Sequence, residues 1–310
     1  MNTYRLMVAD VDSPSYFVAT AAVKLGFFKQ EGVEVEFVPE YGAKHGPEQL
    51  RDGRIHFFGG PAFAATRAFP AWKGAKLLCA LAQNSYWFMG VRKDLDIPRG
   101  DIKALKGLRI SSSFAFPRTA LRHMLVEAGM DMDHDEIRIV ESLPTTSEWH
   151  SRDGVSAIKE NHADGFWGNG MRLALAEKAG LAKVHLDLRR GDGPPGAHRY
   201  NFAALTATDA LIEKEPEVAA AAVRAIVATQ KALQADPSLA KKVGDELFPG
   251  EDEAVLMPVL IARDAPFYDA TITQEVVDGL NKFAMANGLI DKPLALNQIV
   301  AAQFISLWKS

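Results

Sequence analysis

The sequence predicts an α/β protein of two lobes, and three observations carry that prediction. Strand-like and helix-like segments alternate along the first two-thirds of the chain, the pattern of a doubly wound sheet. The alternation starts afresh near Ile97, as a second lobe would. A length of 310 residues exceeds what one compact core usually takes and implies about two domains. Apolar residues make up 48% and charged residues 24%, the balance of a chain with a sizeable interior.

The first lobe opens with a strand from Tyr4 to Ala9. Pro14 stands where proline is tolerated, in the first turn of a helix that runs through Phe28, with Gly26 and Gly32 marking its end. VEVEFVPE, Val33 to Glu40, alternates at period two and reads as a half-buried strand. Gly46 to Gly53 reads as a short helix, Ile55 to Pro61 as a strand closing on two glycines, AFAATRAF as another helix, and Ala75 to Ala82 as a strand. This order predicts a parallel sheet. Tyr86 to Lys93 is an extended segment leading away from the lobe.

In the second lobe LKGLRIS leads into a strand, Pro117 to Ala128 forms a helix closed by Gly129, and Ile137 to Ser142 is a strand. A short helix from Gly154 to His162, a strand from Ala163 to Gly168, a helix ending at Gly180 and a strand from Val184 to Leu188 follow. Arg189 to Tyr200 is the richest Gly/Pro stretch and reads as a loop or crossover. After a return to strand and helix, PEVAAAAVRAIVATQKAL is an amphipathic helix and the carboxyl third is almost wholly helical, ALNQIVAAQFISLW included.

Composition excludes several function classes. With 35 basic and 39 acidic residues the net charge is −4, so no broad basic field exists for nucleic acid or an anionic membrane. No apolar run reaches the length of a spanning helix. MNTYRLMVAD goes straight into a strand pattern without the regions of a secretory signal. The single Cys79 cannot form an internal disulfide. The eight histidines are scattered, no H-x-x-x-H or C-x-x-C occurs, and DMDHDE reads as an acidic surface turn. Neither a metal nor a cofactor is expected.

The residues themselves nominate anion sites. SSSFAFPR lacks the glycine spacing of a phosphate loop or of the G-x-S-x-G elbow. Two readings of it stay open. Ser111, Ser112 and Ser113 either cradle an anion at a helix start, with Arg118 adding a bidentate contact, or they cap the helix while Arg118 is solvated. Ser13 is placed to cap a helix before Pro14. His45, before Gly46-Pro47, is a candidate for ligand contact, acid or base work, or capping, whereas His56 reads as structural. Gly60 and Pro61 mark a strand end where a backbone can approach a ligand. Asn84, Ser85, Tyr86 and Trp87 lie at the handover between lobes, and Trp167 and Asn169 at a strand end of the second. With Phe114 and Phe116 these aromatics suit a planar or bulky apolar body, unless they only pack the core.

The order and spacing of KLGFFKQEGVEVEF, LKGLRISSSFAFPRTALRHMLVEAGM, ADGFWGN, TDALIEKEPEVAAAAVRAIVATQKALQADPSLA and FAMANGLID resemble the periplasmic solute-binding proteins for aliphatic sulfonates, taurine, nitrate and thiamine precursors. The resemblance covers nearly the whole chain. It implies the type II periplasmic-binding-protein fold: two lobes, here 1–88 with 195–310 and 89–194, joined by two crossover segments. It further implies a small organic anion held in the interlobe cleft, delivery to an ABC permease, and hinge closure at Asn84 to Lys93 and Arg189 to Tyr200. The loop after the first strand lines the cleft in that family, which adds Asp12, Ser13 and Tyr16 as ligand contacts. Such a protein is periplasmic if a signal peptide has been removed, and cytoplasmic if Met1 is the native start.

A narrower similarity is to the aromatic sulfinate desulfinase, including ANGLIDKPLALNQIVAAQF. Its Cys-Pro pair matches Ser13-Pro14 and its histidine matches His45. A serine without an adjacent base is far less nucleophilic than a thiolate, so this similarity implies a pocket shape rather than a chemistry. The rival function is a cytoplasmic lyase or hydrolase of desulfinase or decarboxylase type, with His45 as acid or base and Ser13 and Arg118 completing the site. A cytoplasmic ligand sensor is a third. The cysteine-rich iron motif of the yeast pyrimidine synthases is absent.

Overall fold

A computed structural model describes residues 2–39, 45–113, 116–144 and 152–309. The chain divides into two compact units, one of Met1–Asn84 with Asn201–Ser310 and one of Ser85–Tyr200. In chain order the strands are β1 (Thr3–Val8), β2 (Glu34–Val38), β3 (Phe57–Pro61), β4 (Ala75–Ala82), β5 (Phe88–Arg92), β6 (Arg109–Ser112), β7 (Arg138–Glu141), β8 (Leu143–Pro144), β9 (Arg152–Asp153), β10 (Gly165–Gly168), β11 (Ala182–Asp187) and β12 (Ala203–Thr208). The first unit holds a sheet in the order β2-β1-β3-β12-β4, the second a sheet in the order β11-β5-β10-β6-β7. A two-stranded ladder, β8 with β9, belongs to the second unit as well.

Both sheets are mixed, which corrects the expectation of a parallel sheet in the first lobe. In the first unit β1 runs parallel to β2 and β3, while β12 is antiparallel to β3 and β4. In the second, β10, β6 and β7 are parallel and β5 is antiparallel to β10 and β11. The reversed strand is in each case the first after the chain passes from one unit to the other. Such a strand is not delivered by a strand-helix-strand crossover, the connection that enforces parallel pairing.

The edge strand β4 shows how the carboxyl third attaches. An open edge presents unpaired N–H and C=O groups that a fold must cover. The Ala80 amide donates to Ala270 O at 2.9 Å and the Ala301 amide to Leu77 O at 2.9 Å, and Val300 forms a parallel bridge with Leu77. Gln230, from the long helix Pro216–Ala235, donates to Ala80 O and Leu81 O at 3.1 and 3.0 Å. Trp308 Nε1 donates to Leu78 O at 3.0 Å. ALNQIVAAQFISLW is therefore not one helix: Leu296–Ile299 ends at Val300, which pairs with β4, before a 3₁₀ helix at Ala302–Lys309.

Two further expectations change locally. The helix after β1 spans Phe17–Lys24, not Pro14 to Phe28. Ser13 N donates to Asp10 O and Tyr16 N to Ser13 O, so the backbone of the serine-proline stretch closes turns of its own before the helix starts. AFAATRAF forms a 3₁₀ helix, Ala62–Arg67.

Each unit is packed on a phenylalanine held between glycines. In the first, a Cβ at Gly46 or Gly60 would lie 2.1 or 2.3 Å from the ring of Phe58. In the second, a Cβ at Gly90 or Gly154 would lie 2.8 or 2.4 Å from atoms of Phe166, and Phe166 packs with Phe88, Ile158 and Leu173. A large ring fills the volume that the glycines leave, at the packing density of a protein interior.

Candidate functional site

The second unit gathers most of the nominated residues at the carboxyl ends of β6 and β10, where open α/β sheets bind ligands. Ser112 and Trp167 are register partners, and so are Trp167 and Met89 of β5, so these side chains share one face of the sheet. Ser111, on the other face, shares a hydrogen bond with Ser142 Oγ at 3.1 Å. Ser112 Oγ donates to its neighbour's carbonyl, Ser113 O, at 3.3 Å, and Ser113 is exposed. Ser111 and Ser112 are thus strand residues and do not cap the following helix. That helix spans Phe116–Glu127, with Phe116 and Arg118 half-buried in its first turn. Phe114 lies outside the described residues.

Trp167 is 3% exposed, and its buried indole Nε1 has no hydrogen-bond acceptor among the described residues. Its ring lies 6.0 Å from that of Trp87 at an interplanar angle of 35°, and Trp87 lies 5.5 Å from Tyr86. Asn169 holds the backbone in place, since its Oδ1 accepts from Arg172 N at 3.0 Å and caps the helix Gly170–Lys178. Ser85 is wholly buried and its amide donates to His198 O at 2.7 Å.

Sequence reasoning missed a cluster in the same unit. The Tyr200 hydroxyl donates to Glu127 Oε2, the His123 ring stands edge-on to Tyr200 at 4.7 Å, and His123 Nε2 lies 3.9 Å from Glu127. Burial, and then the bond to Glu127, push the Tyr200 phenol far above its ordinary value. The readable signal was the i, i+4 spacing of His123 and Glu127; their partner at the end of the Gly/Pro stretch was not readable.

In the first unit Asp12, Ser13 and Tyr16 are buried, at 0, 1 and 3% exposure. Ser13 is not a helix cap. The helix starts after Tyr16, and Ser13 Oγ has no hydrogen-bond partner among the described residues. The turn is fixed from outside by Tyr268, whose hydroxyl donates to Pro14 O at 2.9 Å. His45 is exposed, precedes the helix Gly46–Arg51 and makes no capping bond. Ser13 and His45 are therefore not joined in a nucleophile-base pair, the arrangement that activates a hydroxyl. Gly60 and Pro61 pair with Ala204 and Ala203, and the space beside Gly60 holds the Phe58 ring. His56 accepts from Arg5 N through Nδ1 at 3.0 Å, a structural role.

At the opposite, amino ends of β6 and β10 a cavity of about 500 Å³ is lined by Arg92, Lys93, Ile158, Lys159, Asn161 and Leu181 among others. The Arg92 guanidinium is committed to Asp94 and Asp164. Arg109 likewise holds Asp164 through Nε and Nη2 at 2.9 and 2.8 Å. These bonds hold the Asp164 carboxyl below the usual carboxylate range. Among the described residues no group of His, Cys, Asp and Glu is arranged to hold a metal ion, and no helix is long and apolar enough to cross a membrane.

Two α/β units, each a five-stranded mixed sheet and with the chain passing twice between them, define the class of two-lobed binding-protein folds. Residues 13–240 match the profile described as NMT1/THI5 like, and the chain belongs to that family. A putative periplasmic sulfonate-binding protein of a sulfonate ABC transporter from Methylobacillus flagellatus KT is similar at 16% identity, with 99% of this chain and 93% of that one covered and a TM-score of 0.70. The periplasmic nitrate-binding protein NrtA of Synechocystis PCC 6803 is similar at 15% identity over 99% and 87%, with a TM-score of 0.67. A DszB mutant in complex with biphenyl-2-sulfinic acid is similar at 14% identity over 99% and 98%, with a TM-score of 0.67. At these identities the likeness shows the fold. No curated protein matches.

Proposed function

We propose that the protein is the solute-binding component of an ABC importer and takes up a small organic oxyanion, a sulfonate or carboxylate, in the periplasm. The observation that carries this reading is the end of β6. Ser112 and the exposed Ser113 lead within three residues to the first turn of the helix Phe116–Glu127, which carries Arg118. The N–H groups of a helix's first turn, hydroxyls and a guanidinium are groups that suit an anion. Family membership supports it, as do the functions of the sulfonate- and nitrate-binding neighbours. Among the described residues Ser13 Oγ makes no bond to a base, which favours binding over catalysis.

Isothermal titration with methanesulfonate, benzenesulfonate, benzoate and nitrate tests it. Micromolar or tighter binding is expected for at least one of them. Arg118→Ala should weaken it at least tenfold, the scale of one charge-assisted hydrogen bond, with the thermal midpoint unchanged. Unaltered affinity in Arg118→Ala and Ser112→Ala would remove this strand end from the site. Turnover of benzenesulfinate or benzoate that is lost in His45→Ala would establish the enzymatic alternative instead.

A further inference from the structure

We propose that the cavity at the amino ends of β6 and β10 is a second anion site, and that it takes an aliphatic dicarboxylate. It lies within the second unit, at the opposite end of the sheet from Ser112 and Trp167, and does not rest on the solute-binding reading. The cavity measures about 500 Å³, inside the range of small-molecule sites. Three segments line it: the end of β5, the end of the helix Gly154–Lys159, and the turn just before β11.

Charge singles this cavity out. Arg92 is engaged by Asp94 and Asp164, and Asp164 also by Arg109, so two guanidiniums and two carboxylates cancel. Asn161 ties that group to the cavity wall, its Oδ1 accepting from Arg92 Nη1 at 3.1 Å and its backbone O from Arg109 Nη1 at 2.8 Å. Lys93 and Lys159 remain. Both are exposed lining residues, and neither ammonium has an ion-pair partner among the described residues. Asp94, already matched, is the one carboxylate in the described lining. The space therefore has an excess of two positive charges, a local field in a chain of net charge −4.

The floor between the lysines is apolar. Ile158 is 6% exposed and belongs to the core cluster of Phe88, Phe166 and Leu173, and Leu181 packs against the same cluster. The lysines adjoin this floor from different walls: Lys159 follows Ile158 on its helix, and the Lys93 amide donates to Leu181 O at 3.0 Å. A methylene chain over Ile158 and Leu181 with a carboxylate at each end uses both features. Sulfate would meet the charge and leave the floor wet, whereas a monocarboxylate would cover the floor and engage one ammonium only. Lysine suits such ends, being a compact charge on a flexible stem.

Titration of the full chain at low salt with succinate, glutarate and adipate tests this, with sulfate and the monoacids butanoate, pentanoate and hexanoate for comparison. Amide shifts in ¹H–¹⁵N spectra locate the binding. At least one diacid should bind with a Kd of about 1 mM or below, about fivefold more tightly than its monoacid of equal carbon number and than sulfate. The shifts should centre on Asn161, Gly180 and Leu181. Lys93→Gln and Lys159→Gln change exposed positions, where the fold tolerates substitution, and each should weaken the diacid about threefold. Equal affinity for sulfate or for the monoacid overturns the dicarboxylate assignment. Shifts confined to Ser112, Ser113 and Arg118 would put the diacid at the strand end assigned to the solute, which overturns the second site and leaves the solute-binding reading standing. Failure of every diacid to bind, or affinities unchanged in both lysine variants, overturns the second site as well.

Discussion

Ser13 is the residue that the resemblance to the desulfinase matches to a nucleophilic cysteine, and its surroundings decide what it can do. Its hydroxyl is buried and has no partner among the described residues, so removing it sacrifices none of the hydrogen bonds seen there. Ser13→Ala should leave the urea midpoint unchanged or raise stability by up to about 1 kcal/mol; a loss above about 2 kcal/mol would reveal a bond that the fold depends on. Tyr200 is the contrasting case. Its hydroxyl is committed to the Glu127 carboxylate, and hydrogen bonds to charged groups carry about 1.5–3 kcal/mol. Tyr200→Phe is expected to cost about 2 kcal/mol in urea denaturation. Cys79 is wholly buried, and burial pushes its thiol up and away from reactivity. Ellman's reagent should therefore find no thiol in the native protein and one after denaturation.

Among the elements, the strands that end in F-x-G carry the clearest packing logic. FFGGP and GFWGN each place a phenylalanine two residues before a glycine; the Phe58 ring occupies the volume beside Gly60 of its own strand and Gly46, and Phe166 that beside Gly90 and Gly154 of other segments. Phe58 is pressed from two sides, by Gly46 and Gly60, so it cannot yield to a methyl group at either. Gly60→Ala and Gly46→Ala should each cost about 1–3 kcal/mol, the range of overpacked cores, measurable as a lowered denaturant midpoint at constant slope. The sequence displayed these glycines but suggested that Gly60 lets a ligand approach; the Phe58 ring that fills the space beside Gly60 comes from the same strand, and the one beside Gly46 from a distant segment, which local pattern does not reveal. At the amino ends of β6 and β10, Asp164 accepts from Arg109 through side chain and backbone. Its carboxyl titrates lower in the folded than in the unfolded chain. The resulting stabilisation is present above pH of about 4 and disappears as pH falls through the lower folded value. Asp164→Asn should cost about 1 kcal/mol at neutral pH and flatten the loss of stability between about pH 5 and pH 3.

For the whole molecule, the order of strands and helices was legible because hydrophobic period and turn residues are local signals, as at VEVEFVPE and at Gly129 and Gly180. The direction of β5 and β12 was not. It depends on which strands receive a chain coming from the other unit, and periodicity carries no information about pairing. The cover over the β4 edge was equally hidden, since Gln230, Ala270, Val300 and Trp308 lie far along the chain. Of the site, hydroxyls and rings were readable by type, while the unmet indole donor and the Tyr200–Glu127 bond required the folded geometry. The second unit is one continuous segment, Ser85–Tyr200, holding every strand of its sheet. A fragment of residues 85–200 should accordingly fold alone, with a cooperative thermal transition in far-ultraviolet circular dichroism; a gradual, featureless melt would show that it needs the rest of the chain. The buried thiol has a practical corollary. Because Cys79 is closed to reagents, the wild-type background is already silent to maleimide dyes, and one cysteine engineered onto the surface of each unit would give a two-colour distance reporter without deleting the native thiol.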